Sequence, residues 1–369
     1  MRRHLLPFVL ALGPPLLLYL AVAGWESAAG KPLLRGDCPY YYATARSLIE
    51  DGDLSLAGQI PRSPAHSGLI SLDDENRPVP MHPPLLPLLA LPSIALFGQG
   101  GAFLFNLLQL CLLLAVLHML AARVAAPLRA ATAVALVGIA SFIPAYAWNF
   151  SPDVLTTLLL VAAIAALPEP DGGSDRKRLV LHAVAGLLFG LACVGKLSFV
   201  ALSPALLLVA TWRWRPLAAL AFGAALPLAA FALLNLHLFG SPLTTSYDRI
   251  AHFEDDGIRL HSTREDFNQP LLEGLTRQLG DPRRGLLSTA PIALVGLAAL
   301  PLLWRRRWRL ALAVGWVALA LLLLYARYDW WWTSEYGNRF LLPLVVLAAL
   351  PLAAALEALR QLKTGLPAP

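Results

Sequence analysis

The sequence predicts an all-α polytopic membrane protein: one transmembrane helical body that carries two long outer loops with short interfacial helices. Three observations predict it. First, 57% of the 369 residues are hydrophobic and only 14% are charged, with a mean hydropathy of +0.62, outside the range of soluble domains. Second, the apolar residues come in long Leu- and Ala-rich runs rather than in the alternating ten-residue segments of an outer-membrane barrel. In lipid such runs pair their backbone internally as helices. Third, the Lys and Arg residues behind the net charge of +6 sit in short connections between runs. They report orientation and do not form a nucleic-acid surface.

In chain order the apolar candidates are Leu5 to Gly24, Pro83 to Phe97, Ala102 to Ala121, Ala131 to Ala147, Val154 to Leu167, Leu179 to Gly195, Leu197 to Val209, Pro216 to Leu238, Leu286 to Leu303, Ala311 to Ala326 and Phe340 to Leu356. The first reads as an uncleaved helix rather than a signal sequence, because its apolar core is long. The prolines at 83, 84, 87 and 92 mark the second as re-entrant or tilted, which leaves about ten or eleven spans in one domain over residues 1–358 and a short tail over 359–369. Basic clusters at Arg2 and Arg3, Arg123 and Arg129, Arg176 to Arg178, Arg213 and Arg215, Arg305 to Arg309, and Arg360 and Lys363 predict an inner side that holds both termini. Parity then makes Leu179 to Val209 a hairpin that turns on the outer side at Lys196.

Two segments fall outside on this reading, residues 25–82 and 241–285, and both are too long for plain connections. Within them Tyr40 to Ile49 reads as a short interfacial helix with its Tyr and Leu residues toward lipid, and Pro270 to Leu279 as an amphipathic one. The outer face is therefore where chemistry is expected.

Asp37, in RGDCPYYYATARSL, allows two readings: a cap for the helix that follows, or a general base on a hydroxyl in surroundings of low polarity. Tyr40 and Tyr41 sit beside it as acceptor-contacting or structural residues. Asp153, in AWNFSPDVLTT, faces the same side; Ser151 and Pro152 before it are ordinary helix-start residues. Lys196 stands alone in an apolar hairpin, where an unpaired ammonium is costly, so it snorkels or meets an anion. In WWTSEYGNRFLLP, Glu335 and Arg339 are spaced for an ion pair, and Arg339 equally suits a phosphate. Arg283 and Arg284 lie at the mouth of another span. Together the outer cations suit an anionic headgroup or pyrophosphate. His66 and His82 have no acidic partner at ligand spacing, and the three cysteines form neither a disulfide framework nor a metal cluster. A divalent cation, magnesium or manganese, held by Asp37 and an external phosphate stays open. No nucleotide-binding glycine loop is present.

These stretches, with HPPLLPLLALPSIALFG, GLLFGLACVGKLSFVALSPALL, GSPLTTSYDRI, DPRRGLLSTAP and SEYGNRFLLPL, resemble the integral-membrane glycosyltransferases that use polyprenyl-phosphate sugars, the GT-C superfamily. That family includes protein mannosyltransferases and the aminoarabinose transferase of lipid A. The resemblance implies inverting transfer of a sugar from undecaprenyl phosphate to a hydroxyl of a periplasmic or lipid-linked acceptor, in the bacterial inner membrane. It implies Asp37 as base or acceptor-binding carboxylate. By charge type and side of the membrane, Lys196, Arg339, Arg283 and Arg284 are candidates for the donor phosphate, and His82 is an acceptor-side or structural candidate. Where many members carry a second acid directly after the first, this chain has Cys38. The competing readings are a secondary transporter or lipid flippase, which would use Lys196 as an intramembrane gate, and a membrane subunit without catalysis.

Overall fold

In the computed structural model, which describes residues 2–147, 149–168, 174–254, 257–331 and 337–364, the helices follow the apolar stretches. They are α1 (Arg2–Ala28), α2 (Cys38–Glu50), α3 (Leu85–Phe97), α4 (Gln99–Ala121), α5 (Pro127–Ile139), α6 (Pro152–Ala166), α7 (Asp175–Gly195), α8 (Ser203–Val209), α9 (Trp214–Phe239), α10 (Leu271–Gly280), α11 (Leu286–Thr289), α12 (Pro291–Ala298), α13 (Leu300–Ala326), α14 (Leu342–Leu347) and α15 (Ala349–Thr364). Among the described residues six stretches are long and apolar enough to cross a bilayer: Leu5–Ala28, Gln99–Ala121, Asp175–Gly195, Trp214–Phe239, Leu300–Ala326 and Arg339–Lys363. Four more, Leu85–Phe97, Pro127–Ile139, Pro152–Ala166 and Leu197–Val209, are shorter apolar helices. The 13 residues of α3 reach about 20 Å, less than the ~30 Å hydrocarbon core.

Proline explains where several apolar runs are cut. A proline at the first helical position has no N–H to lose and a preset φ, so it opens a helix but cannot sit inside one without cost. Pro291 is the first residue of α12, and Pro343, in the first turn of α14, is the second. The run read as one span over 286–303 is therefore divided among α11, α12 and the start of α13, and the run over 131–147 stops at Ile139 before a 3₁₀ turn over Ile143–Ala147. Helix α13 breaks at Arg307 (φ −148°, ψ 72°), inside the arginine cluster where the sequence calls for a connection.

The two ends of the body are chemically distinct. Contacts between α13 and the chain that follows α7 run in order along its length: Tyr325 Oη lies 2.6 Å from Ser198 Oγ, Trp316 Nε1 donates to Ala201 O at 2.9 Å, and Arg309 donates to Ala210 O at 3.4 Å. At the far end Arg307 reaches Arg123 O, and Arg123 donates to the carbonyls of Ala165 and Leu167 at the C-terminus of α6. Cations there cap the negative ends of helix dipoles. Glu357, fully buried, accepts from Arg129 Nε (2.5 Å) and from the Ala126 N–H (2.9 Å), tying the last span to the first turn of α5. The basic clusters expected to share one side thus include several that gather at one end.

At the other end the two long loops fold together, which the sequence pattern did not reveal. Strands β1 (Ile70–Leu72) and β2 (Pro78–Pro80) from the first loop and β3 (Ile250–Glu254) and β4 (Gly257–His261) from the second form an antiparallel sheet in the order β2-β1-β3-β4. The joint between loops is slender, Ser71 opposite Ile250, and is reinforced by Ser71 Oγ donating to Ser246 O at 2.6 Å. A small separate core of Ala43, Leu56, Ile60, Ile70, Leu72 and Ala251 lies beneath it. Helix α10 forms where expected and packs tightly on α13: a Cβ at Gly274 would stand 1.9 Å from Ala326 O. Helix α2 corrects the expectation of tyrosines facing lipid, because Tyr41 is buried against the site.

Candidate active site

Asp37 occupies the N-cap position of α2, yet its side chain makes no capping hydrogen bond. Gly36, at φ +55°, allows the tight turn in which Cys38 N bonds Arg35 O at 3.0 Å. The carboxylate instead accepts from Arg339 Nη2 at 2.7 Å, across 302 residues. Pro39 at the start of α2 needs no capped N–H, which frees Asp37 for this role.

Arg339 is held by its own local grammar. Asn338, fully buried, accepts the Phe340 N–H and opens a 3₁₀ turn over Arg339–Leu341. Gly337 before it has φ +65°, and a Cβ there would lie 2.4 Å from Phe142 Cγ. Gly337→Ala combines left-handed strain of about 1–3 kcal/mol with that clash. The expected result is a lower unfolding temperature and loss of the Asp37–Arg339 pair, read by thermal unfolding in detergent; an unchanged midpoint would contradict it. Among the described residues Arg339 Nε is buried with no hydrogen-bond partner, which leaves part of the guanidinium fork available there.

A second pair lies alongside. Asp153 sits in the first turn of α6, where the helix dipole favours an anion, and accepts from Lys196 Nζ at 2.6 Å and from Ser151 Oγ at 3.1 Å. Ser151 thus serves the acid rather than capping the helix. Lys196, the C-cap residue just after α7, is not alone as its apolar hairpin suggested; its ammonium also rests 4.3 Å from the Phe340 ring centroid. Two acids and two bases make this cluster neutral overall.

His82 completes the wall. It follows β2, where Met81 O accepts from Ser246 Oγ at 2.8 Å. Its ring stacks on Tyr41 (4.8 Å, 13°), its Nδ1 lies 3.1 Å from Tyr247 Oη, and its Nε2 lies 3.9 Å from Asp37 Oδ2. Tyr247, which no sequence signal marked, comes from the turn over Ser246–Asp248, built by a Thr245–Asp248 capping box. Burial, working against a charge, lowers the His82 pKa to about 4. Burial also opposes ionisation of Asp37, but the Arg339 guanidinium and then His82 outweigh it and hold the carboxyl below its ordinary value. The Cys38 thiol is pushed up to about 11, first by burial, and donates to Asn149 Oδ1 at 2.7 Å. Cys38 is therefore a neutral, structural neighbour.

The His82 shift predicts a pH effect. The unfolded imidazole binds its proton near pH 6.5 and the folded one only near 4, so stability falls as pH drops between these values, by about 3 kcal/mol in all. His82→Gln is expected to flatten that limb of the unfolding-temperature profile; an unchanged slope would mean His82 is charged in the fold.

Other candidates lie elsewhere. Tyr40 turns away from Asp37 to His66 Nδ1 (2.9 Å). Arg283 and Arg284 donate their backbone N–H groups to Asp281, and the Arg284 side chain lines a separate cavity of about 560 Å³ with Arg277 and Trp331. Glu335 lies outside the described residues, and the partner found for Arg339 is Asp37. For a divalent cation the donors do not fit: among the described residues no three His, Cys, Asp or Glu side chains converge, and Arg339 already bonds Asp37.

No family model matches the chain, and no curated protein matches it in sequence. Solved structures do. ArnT from Cupriavidus metallidurans bound to undecaprenyl phosphate matches with a TM-score of 0.58 at 21% identity, over 93% of this chain and 60% of that one. The Archaeoglobus fulgidus oligosaccharyltransferase in its apo form matches at 0.53 and 12% identity, over 98% and 52%. The archaeal oligosaccharyltransferase AglB from the same organism, in complex with an inhibitory peptide and a dolichol-phosphate, matches at 0.50 and 13%, over 90% and 48%. This chain therefore spans about half to three fifths of the length of these proteins. The protein is a polytopic membrane protein whose helical body shares the fold of ArnT from Cupriavidus metallidurans and of the Archaeoglobus fulgidus oligosaccharyltransferase.

Proposed function

We propose that the protein is an inverting glycosyltransferase that moves a sugar from a polyprenyl phosphate to a hydroxyl of a periplasmic or lipid-linked acceptor, with Asp37 as the base. The observation that carries this reading is the Asp37–Arg339 pair. It joins a partly buried, ionised carboxylate to a guanidinium with an unpartnered Nε, where the outer loops meet the last span. A fold shared with structures that hold undecaprenyl phosphate and dolichol-phosphate supports the donor class.

In the proposed reaction the acceptor oxygen attacks the anomeric carbon as its proton passes to Asp37. The bond from the anomeric carbon to the phosphate oxygen breaks, and its electron pair leaves with the phosphate. The second acidic oxygen of that phosphate needs donors already in place. Arg339 supplies them through its spare N–H, and Lys196 serves from the flank, since Asp153 already balances its charge. One displacement inverts the anomeric centre.

The test is transfer by the purified protein in detergent, with radiolabelled polyprenyl-phosphate sugars and a panel of hydroxyl acceptors. The expected product carries the label with inverted configuration. Retained configuration would reject the single displacement, and flipping of labelled lipid in vesicles without any transfer would identify a flippase.

A further inference from the structure

The basic end of the body holds a groove unconnected with the site above. It has a volume of about 830 Å³ and lies between α8, the start of α13 and the stretch of α13 beyond the Arg307 break. Leu208 and Leu312 are among its apolar walls, Trp304 and Trp316 stand exposed on it, and Arg305 is the one charged residue lining it. Its wall along α13 from Ala311 to Leu319 rises about 12 Å, most of the ~15 Å depth of one leaflet.

Two details show that the protein does not fill this groove itself. Gly315 lies in the middle of α13, where glycine weakens a helix, and nothing stands within 4 Å of the position a Cβ would take. At Gly186, Gly190, Gly223 and Gly296, by contrast, a neighbouring backbone already occupies that space. Arg305 is exposed, whereas Arg307 and Arg309 beside it are bound to carbonyls.

We infer that this groove is a site for one anionic phospholipid of the surrounding bilayer, taken from the leaflet on the arginine side. An acyl chain lies along Gly315 between the walls, and the headgroup phosphate meets Arg305. Charge complementarity selects the occupant: a cationic mouth over an apolar slot disfavours a zwitterionic lipid, whose own ammonium would face Arg305. Trp304, next to Arg305, marks the headgroup level, while Trp316, one residue beyond Gly315, walls the acyl slot and is fixed by its bond to Ala201 O.

The test is native mass spectrometry of the delipidated full chain, titrated with phosphatidylglycerol or phosphatidylcholine of the same acyl chains. The wild type is expected to retain one phosphatidylglycerol with a preference of about fivefold, the value of one arginine at a membrane surface. Arg305→Gln is expected to abolish the preference while leaving chain binding intact. Gly315→Leu fills the slot and is expected to abolish retention of either lipid, with an unfolding temperature equal to or above the wild type's because the space is open. Equal retention of both lipids by the wild type, retention unaffected by Gly315→Leu, or displacement of the lipid by undecaprenyl phosphate at equal concentration would each overturn the inference.

Discussion

Asp37→Asn is expected to lower sugar transfer by about 10²–10⁴-fold, the usual contribution of a general base, with most of the loss in kcat. Asparagine keeps the size and one acceptor oxygen for Arg339 but cannot take a proton. The wild-type rate should stay level as pH falls through the ordinary carboxylate range, because Arg339 holds Asp37 ionised below it, and drop only beneath. A loss confined to KM would instead make Asp37 a binding group. Circular dichroism and the unfolding temperature of the variant separate either outcome from misfolding, since Arg339 loses its charge partner.

Lys196→Ala is expected to have the largest effect on stability. Asp153 is only 4% exposed, and removing Lys196, whose ammonium lies between it and the Phe340 and Tyr325 rings, leaves a buried carboxylate without its cation, at a cost of about 3–5 kcal/mol. Replacing both, as Asp153→Leu with Lys196→Met, is expected to recover most of that, because the penalty comes from the orphaned charge and not from loss of the pair. Unfolding in detergent, combined as a double-mutant cycle, reads the coupling. Equal, small losses in the single and double variants would mean that Lys196 reaches water on its own.

Much of this molecule was legible in the amino-acid order. Hydropathy marked the stretches that became helices, because lipid leaves the backbone no other partner. Arginine clusters predicted a basic end, and Arg123, Arg307 and Arg309 meet helix carbonyls there. Asp37, Asp153, Lys196, His82 and Arg339 were each singled out by type and place, as charges or imidazoles at the edge of apolar runs. Their partners were not. The expected local contact of Asp37 with its own helix is a spacing of three or four residues, which sequence reads easily; Glu335, the partner expected for Arg339, lies outside the described residues. The Asp37–Arg339 bond spans 302 residues and the Asp153–Lys196 bond 43.

By itself, then, the sequence determined that the chain is a helical membrane body, which runs are apolar, and which polar residues are too costly to be incidental. Only the tertiary structure decided how those charges pair and that Tyr247 belongs beside His82. It also showed that the two long loops share one sheet and that Gly315 faces open space rather than a neighbour. The physical reason is range. Burial preference and turn chemistry act within a few residues and leave a pattern in the sequence, while an ion pair or a close packing between distant segments exists only once the body has brought them together.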